Sequence, residues 1–150
     1  MKVILQRVSQ ASVTIDDKKI AEIGYGLLVL VGIINNDTIE DIKWLSNKLV
    51  NCRIFSDEND VMNNSVIQEN GDILLVSQFT LHASIKKGHR PSYNLAAKPD
   101  VAVPIYNDFI KQLEIDLGRP IHTGEFGANM QIDLINDGPV TIIYDSKNRE

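Results

Sequence analysis

The sequence predicts an α/β fold in which layered β-sheets, arranged as a sandwich or a barrel, carry two amphipathic helices over one face. Three observations support this prediction. The chain begins with several short apolar or alternating runs that are typical of strands. Two later stretches repeat their apolar residues every three or four positions, which is typical of helices. Further strand-like runs separate and follow those two stretches.

The N-terminal part of the chain is predicted to form paired strands. Four β-like runs follow one another with only short polar or glycine-containing breaks between them: KVILQRV, ASVTID, KIAEIG and GLLVLVGI. Breaks of this length favour pairing between successive strands. Strand character returns after the first helix in RIFSD and in GDILLVSQFTLHA, and near the end of the chain in GEFGANMQIDLI and VTIIYD.

The stretch DTIEDIKWLSNKLVN is predicted to be the first helix. Asp37 and Glu40 have the spacing of a capping box at its start. Its apolar residues recur at helical spacing and share one face: Ile39, Ile42, Leu45 and Leu49. One apolar face with polar residues around it indicates a helix that packs on the sheet.

A second helix is predicted from about residue 101 to residue 117. Pro104 falls in its first turn on this reading, and Gly118 followed by Pro120 marks its end. The apolar face of this helix consists of Ile105, Phe109, Leu113 and Leu117. Two helices of this kind are enough to cover one face of the predicted sheets.

Length and composition predict one compact domain, residues 1–150, in the cytoplasm. A chain of 150 residues buries roughly 70% of the surface that its unfolded form exposes. The absence of any apolar run of about 18 residues argues against a membrane span. Cys52 has no second cysteine to pair with, and His82, His89 and His122 lack the spacing of a metal pair, so we expect no disulfide, metal or cofactor.

Charge points away from broad nucleic-acid binding but leaves a local exception. The net charge is -5, whereas nonspecific binding depends on neutralising phosphates. The segment KKGHRP nevertheless places Lys86, Lys87 and Arg90 close together, within residues 84 to 100, where no periodicity is visible. Either this is a solvated charged loop or, because long aperiodic stretches are often functional, it binds a ligand.

The segment SQFT could carry chemistry at the end of the apolar run DILLV. Ser77, Gln78 and Thr80 could direct hydroxyls, an amide and main-chain N–H groups at one point, as an oxyanion site requires. The alternative is a strand whose polar residues face water. His82 would lie on the same strand face as Thr80, but no third group that would orient it is visible.

Two further segments could border a ligand. In GEFGANM, two glycines indicate a bulge or a close backbone approach, and Phe126 and Met130 could line an apolar pocket or pack in the core. In NDGPVT, Gly138-Pro139 falls between two strand-like runs, although proline cannot donate a ladder hydrogen bond. It is either a tight turn or a backbone feature that meets a ligand.

Together these segments resemble one family, and the resemblance extends over essentially the whole chain. MKVILQRVSQASVTI, SQFTL, KKGHRPSY and TGEFGANMQIDLINDGPVT look like the D-aminoacyl-tRNA deacylases, also called D-tyrosyl-tRNA deacylases. The two motifs typical of that family, Ser-Gln-x-Thr and Gly-cis-Pro, correspond to residues 77–80 and to Gly138-Pro139 without any departure.

The resemblance implies an enzyme that hydrolyses the ester of D-aminoacyl-tRNA, and of mischarged glycyl-tRNA, as a chirality proofreading step. It also implies a homodimer without a cofactor, in which the Gly-cis-Pro of one subunit reaches into the other subunit's pocket. The implied catalytic residues are Gln78, Phe79 and Thr80. The implied substrate-binding residues are Ser77, Phe126, Gly127, Ala128, Met130, Gly138 and Pro139. The implied tRNA-binding residues are Lys86, Lys87 and Arg90.

Two mechanisms and two rival functions remain open at this stage. Either Thr80 acts as a nucleophile or the 2′-hydroxyl of the RNA assists hydrolysis, and the lack of a clear base beside Thr80 favours the second. One rival function is hydrolysis of small free esters by Thr80 with His82. The other is a noncatalytic RNA-binding module, which the acidic composition and the lack of an aromatic platform disfavour.

Overall fold

A computed structural model describes residues 1–86 and 88–149, and it confirms the predicted α/β class. The described strands are β1 Lys2–Ile15, β2 Lys18–Ile23, β3 Gly26–Gly32, β4 Phe55–Ser56, β5 Met62–Asn64, β6 Asp72–Ser77, β7 His122–Thr123 and β8 Gln131–Asp145. The helices are α1 Ile39–Val50 and α2 Pro99–Leu117, and a 3₁₀ turn spans Phe79–His82. No helix within the described ranges is long and apolar enough to cross a membrane.

Six of these strands form one mixed sheet, which curls into a nearly closed barrel. The strand order is β2-β1-β3-β6-β7, and β8 also pairs with β1. β1 is antiparallel to β2, β3 and β8, whereas β3, β6 and β7 run parallel to one another. The outer strand β2 also contacts β6 and β7, which brings the two ends of the sheet together.

Both faces of the central strands are buried, which explains their continuous apolar runs. Alternate residues of β3 and β6 enter two separate clusters, because successive side chains of a strand point to opposite faces. One cluster fills the space between the sheet and the two helices, with Leu45 and Phe109 fully buried there. The other lies inside the curled sheet and includes Val13, Leu28 and Leu74. The two helices therefore cover one face of the sheet, as predicted.

The first helix begins one residue away from the predicted capping box. Thr38 is the N-cap, and the carboxylate of Asp41 accepts hydrogen bonds from the Thr38 main-chain N–H at 2.8 Å and from its hydroxyl at 3.1 Å. Asp37 instead pairs with the Met1 amino group, so the Asp37–Glu40 box is wrong. The periodicity located the helix correctly, but two overlapping pairs, Asp37 with Glu40 and Thr38 with Asp41, have the spacing of a capping box. The spacing alone does not distinguish them.

The second helix begins earlier than the periodicity predicted. Pro99 is its first residue, so Pro104 lies inside the helix and not in the first turn. A proline at the first helical position needs no hydrogen-bond partner for its missing N–H. The predicted end is correct: Gly118 adopts the left-handed conformation with φ of 80° and its N–H bonds to the carbonyl of Glu114.

The NDGP segment forms a wide bulge in one long strand, not a turn between two strands. β8 pairs with β1 on either side of the segment, through Gln6 opposite Thr141 and Val8 opposite Asn136. Between these pairs β8 has the residues 137–140, whereas β1 has only Arg7. The extra β8 residues must therefore leave the ladder, which is how a bulge accommodates a proline in a sheet.

Candidate active site

A cavity of about 260 Å³ opens where the parallel strands β3 and β6 end. The carboxyl ends of neighbouring parallel strands are a common place for ligand sites. The cavity is bordered by the ends of both strands, by the start of α2 and by the loop before β8. The lining residues are Val31, Ile33, Val76, Ser77, Gln78, Phe79, Ala97, Ala102, Phe126, Gly127, Ala128, Asn129, Met130 and Ile132.

The SQFT segment leaves the sheet at the cavity. β6 ends at Ser77 and the chain turns into the 3₁₀ turn Phe79–His82, so the predicted continuation of the strand through SQFTLHA is wrong. The Gln78 N–H donates to the Val31 carbonyl of β3 at 2.7 Å, which holds the turn against the neighbouring strand. Residues that were expected to alternate across a strand therefore follow the geometry of a helical turn.

This turn separates Thr80 from His82. The Thr80 hydroxyl oxygen accepts a hydrogen bond from the Gln78 side-chain amide at 2.5 Å. His82 is only 6% exposed, and its Nε2 has no hydrogen-bond partner among the described residues. The expectation that both residues share one strand face is wrong, because no strand continues there. A Thr80–His82 pair of the kind that a free-ester hydrolase would need is therefore not formed.

The opposite wall of the cavity comes from the GEFGANM segment, which is a loop and not the predicted strand. Met130 packs closely against Gly124: a Cβ at position 124 would lie 2.5 Å from the Met130 sulfur, so the Met130 side chain would have to shift. Gly127 has φ of +78°, which glycine adopts without strain. Phe126 packs on Tyr106 with ring centroids 5.5 Å apart. Two glycines thus shape an apolar wall.

Tyr106 supports that wall from inside the core. Its hydroxyl donates to the Leu75 carbonyl at 3.2 Å, and burial raises its pKa to about 12. Tyr106 is therefore neutral at physiological pH, and its hydrogen bond links α2 to β6. Phe126 packs on a side chain that is itself held in the core.

Gly138 and Pro139 lie outside this cavity in the same chain. Their peptide bond is cis, both residues are exposed, and neither lines the cavity. Arg7 holds the bulge from beneath: its Nε donates to the Asp137 carbonyl at 3.1 Å and pairs with the Asp137 carboxylate at 3.1 Å, while Nη1 donates to the Ile54 carbonyl at 2.6 Å. The bulge is thus fixed by a buried cation.

The basic segment lies close to the cavity mouth. The main chains of Ser84 and Ser92 exchange two hydrogen bonds, of 2.8 and 2.9 Å, which close the excursion that carries exposed Lys86 and Arg90. Just beyond it, Tyr93 packs edge-to-face on Phe79 with centroids 5.0 Å apart. Lys87, which was also predicted to bind tRNA, lies outside the described residues.

The structure thus brings most predicted site residues to one cavity. Thr80 does not line the cavity, but its hydroxyl accepts a hydrogen bond from the side chain of Gln78, which lines the cavity. Sequence reasoning missed Arg7 and Tyr106, as well as the lining residues Ala97, Asn129 and Ile132. Only Arg7 carried a usable signal, because it continues the alternation of the inward-facing Val3 and Leu5, and a buried arginine needs partners.

Ser77 and Gln78, where β6 ends, place polar groups beside a cavity lined largely by apolar side chains. Hydrolases that act on acyl groups use sites of this kind, with the carbonyl at the polar rim. Within the described residues no group of three or more His, Cys, Asp or Glu side chains is placed to hold a metal ion. The arrangement provides donors without a paired nucleophile and base.

Comparisons with known proteins identify the family. The model of the D-Tyr-tRNA(Tyr) deacylase family matches residues 4–145. A D-aminoacyl-tRNA deacylase of Flavobacterium johnsoniae is 64% identical over the full length of both chains, and one of Parabacteroides distasonis is 60% identical over the same span. The chain belongs to the D-aminoacyl-tRNA deacylase family, and it is thus an enzyme of the hydrolase class.

Two solved structures share the fold. The c-Myc DNA unwinding element binding protein has a TM-score of 0.91 and 42% identity, with 97% of this chain and 98% of that chain covered. A probable eukaryotic D-amino acid tRNA deacylase has a TM-score of 0.82 with 95% and 97% covered, and at 20% identity it supports the fold alone.

Proposed function

We propose that the protein hydrolyses the ester bond between a D-amino acid and tRNA in the cytoplasm, and so releases both. The observation that carries this proposal is full-length similarity to proteins named D-aminoacyl-tRNA deacylase, at up to 64% identity. The cavity supports it because Ser77, Gln78 and Phe79 border a space lined largely by apolar side chains. Such a space suits an aminoacyl group with its ester at the polar rim.

The main-chain N–H groups of Phe79 and Thr80 are the proposed oxyanion donors. They open the 3₁₀ turn, where main-chain N–H groups have no partner within the turn itself. Donors already fixed toward the developing oxyanion stabilise the transition state without reorganising. An aminoacyl ester is a reactive acyl group, so positioning and these donors supply much of the catalysis.

The tRNA 2′-hydroxyl, and not Thr80, is the proposed assistant of hydrolysis. Thr80 accepts a hydrogen bond from Gln78, and no base among the described residues contacts its hydroxyl. A hydroxyl without a base is a weak nucleophile. The vicinal 2′-hydroxyl belongs to the substrate and is adjacent to the reacting ester.

The exposed bulge at Gly138-Pro139 is the proposed chiral filter. An aminoacyl group held by its amine and ester directs its side chain to one side if D and to the other if L. A wall of main-chain carbonyls on the L side rejects every L side chain, since contact with the wall depends on chirality and not on side-chain identity. Glycine has no side chain to reject, so the same wall admits glycyl-tRNA.

A second copy of the chain is the proposed source of that wall. Gly138 and Pro139 do not border the cavity of their own chain. They lie in β8, which also carries the exposed apolar side chains Leu134, Ile135 and Ile143, and exposed apolar groups are common at protein interfaces. A homodimer would bring the bulge of one subunit to the cavity of the other. We therefore expect the active species to have twice the mass of the chain, measured by light scattering.

Lys86, Lys87 and Arg90 are the proposed contacts to phosphates near the acceptor end of tRNA. Lys86 and Arg90 are exposed on an excursion whose base packs beside Phe79 at the cavity. Cations there would offset the net charge of -5 only where the RNA binds.

Release of free D-tyrosine from D-tyrosyl-tRNA by the purified protein tests this function. A parallel assay with D-tyrosine ethyl ester separates it from hydrolysis of free esters. We expect turnover of the tRNA ester and little turnover of the ethyl ester. The function is wrong if neither is hydrolysed, and the free-ester alternative is favoured if both are hydrolysed equally well.

A further inference from the structure

His82 is buried in a way that the hydrolytic mechanism does not use. It is the one buried side chain of the Phe79–His82 turn, while Phe79 is 56% exposed. The imidazole ring lies against Gly32, and its Nε2 has no hydrogen-bond partner within residues 1–86 and 88–149. A buried ring nitrogen without a partner costs stability, so its presence needs an explanation.

The turn rests directly on Gly32, the last residue of β3. A Cβ at position 32 would lie 3.0 Å from His82 Cδ2, 3.0 Å from Leu81 Cβ and 3.1 Å from the Gln78 carbonyl oxygen. A side chain there would press on all three groups, so glycine favours this close approach. Together with the hydrogen bond from Gln78 to Val31, these contacts fix the turn against β3.

We propose that His82 is a positioning residue that anchors the Phe79–His82 turn on Gly32, and so holds the N–H groups of Phe79 and Thr80 at the cavity. The inference rests on the proposed function, because those N–H groups are its oxyanion donors. His82 itself touches no reacting atom in this account. It acts through the backbone between position 82 and position 79.

The surroundings of His82 favour the neutral ring. Burial lowers its pKa, and the hydrogen bond with Gly32 raises it by less. His82 also lines a separate cavity on its other side. The charged groups that act on the ring or line that cavity are the Met1 amine, Lys2, Asp37, Asp145 and Lys147. The Met1 amine and Lys2 also lower the pKa, and Asp37 opposes them. Protonation would bury a positive charge where the turn packs on β3, and so weaken the contact between the turn and Gly32.

The test compares His82→Ala and His82→Phe with His122→Ala, which removes an exposed histidine. Steady-state kcat and KM on D-tyrosyl-tRNA are measured together with the melting temperature. We expect His82→Ala to lower kcat by about ten- to a hundredfold with little change in KM, since small misplacement of catalytic groups has effects of that size. His82→Phe should recover much of that kcat, because its ring fills the same space. His122→Ala should match the parent enzyme.

The pH profile distinguishes positioning from simple core packing. Because the pKa of His82 is lowered, kcat of the parent should fall only as the pH drops below about 6.5, the ordinary histidine value. His82→Phe should lack that decline. If His82→Ala does not fold, this comparison decides, and identical acid limbs in parent and His82→Phe overturn the proposal.

The failures of the two proposals differ. A parent enzyme without activity on D-tyrosyl-tRNA refutes the proposed function. An active parent with an unchanged kcat in folded His82→Ala refutes the positioning role alone.

Discussion

At the scale of a single residue, Arg7 in β1 links the β8 bulge at Asp137 to the segment that precedes β4 at Ile54. Its guanidinium is largely buried, and it donates hydrogen bonds to the Ile54 and Asp137 carbonyls. A buried charge is tolerated only when it is paired and hydrogen-bonded. Arg7 therefore stabilises the bulge in β8, and the bulge in turn satisfies Arg7.

Gly138→Ala tests whether the bulge needs glycine. Gly138 has φ of +127°, and a Cβ would lie 2.8 Å from Val140 Cγ2 and 3.0 Å from Arg7 Nη2. Left-handed backbone of this kind is strained for alanine by about 1 to 3 kcal/mol. We expect a lower melting temperature and a loss of kcat/KM on D-tyrosyl-tRNA of about ten- to a hundredfold.

Gly24→Ala is the matched control for that substitution. No heavy atom of the described residues lies within 4 Å of a Cβ at position 24. The control should keep the parent's activity. Its free energy of unfolding should stay within about 1 kcal/mol of the parent's. An active, stable Gly138→Ala variant would mean that the bulge tolerates a side chain.

Thr80→Ala tests the nucleophile. Because no base within the described ranges contacts the Thr80 hydroxyl, we expect kcat to stay within about tenfold of the parent, whereas loss of a true nucleophile costs on the order of 10⁶-fold. Replacing the terminal 2′-hydroxyl of the tRNA by hydrogen should be more damaging. A dead Thr80→Ala variant that acts equally well on the 2′-deoxy substrate would reverse the assignment.

At the scale of elements, periodicity predicted the helices that pack on the core and failed at the end of β6, where the chain leaves the core. The predicted apolar faces of α1 and α2 are correct because burial imposes their spacing. Ile39 is the exception, 53% exposed at the start of α1, where the helix has not yet reached the core. Strand periodicity could not show that β6 ends at Ser77, since SQFTLHA contains no glycine or proline to mark the change.

The candidate site was predictable only in part for the same reason. The sequence showed the motif residues but not that they lie side by side at one cavity. Their proximity depends on the topology, because β3 and β6 are adjacent in the sheet although α1 lies between them in the chain. Ala97, Asn129 and Ile132 line the cavity without any chemical signature in the sequence. The bulge in β8 was ambiguous because turn residues and bulge residues are the same types.

The basic excursion is tested by charge removal. Lys86→Gln with Arg90→Gln should raise KM for D-tyrosyl-tRNA and reduce the slope of log KM against log salt by about one for each phosphate that is no longer neutralised. Lys111→Gln is the control, because Lys111 is exposed on α2 and pairs with Asp108. A salt slope that does not change in the double variant would indicate a solvated loop that does not touch the RNA.

At the scale of the whole molecule, one polar network joins the start of the chain, the start of α1 and the end of β8. The Met1 amine pairs with Asp37 and donates to the Ser146 hydroxyl at 2.8 Å, while Lys147 Nζ lies 2.7 Å from Asp41. Burial raises the pKa of Asp41, but hydrogen bonds from Lys147, Ser146 and Thr38 outweigh burial and hold that pKa well below its usual range.

This network predicts how stability depends on acid. Because the folded pKa of Asp41 is lowered, its contribution is complete above about pH 4, the ordinary carboxylate value, and is lost as the pH falls below that. Asp41→Asn should lower the free energy of unfolding at pH 7 by about 1 to 3 kcal/mol and flatten the acid decline. Asp108→Asn, at an exposed pair, should do neither in urea unfolding measured from pH 7 to pH 3.

Chirality is the property that most directly distinguishes the proposed activity from general ester hydrolysis. Matched D-tyrosyl-tRNA and L-tyrosyl-tRNA, prepared on the same tRNA, test it through the ratio of their kcat/KM values. We expect rapid hydrolysis of the D ester and hydrolysis of the L ester that does not exceed the rate without enzyme. Equal rates on the two esters, or faster hydrolysis of the L ester, would contradict it.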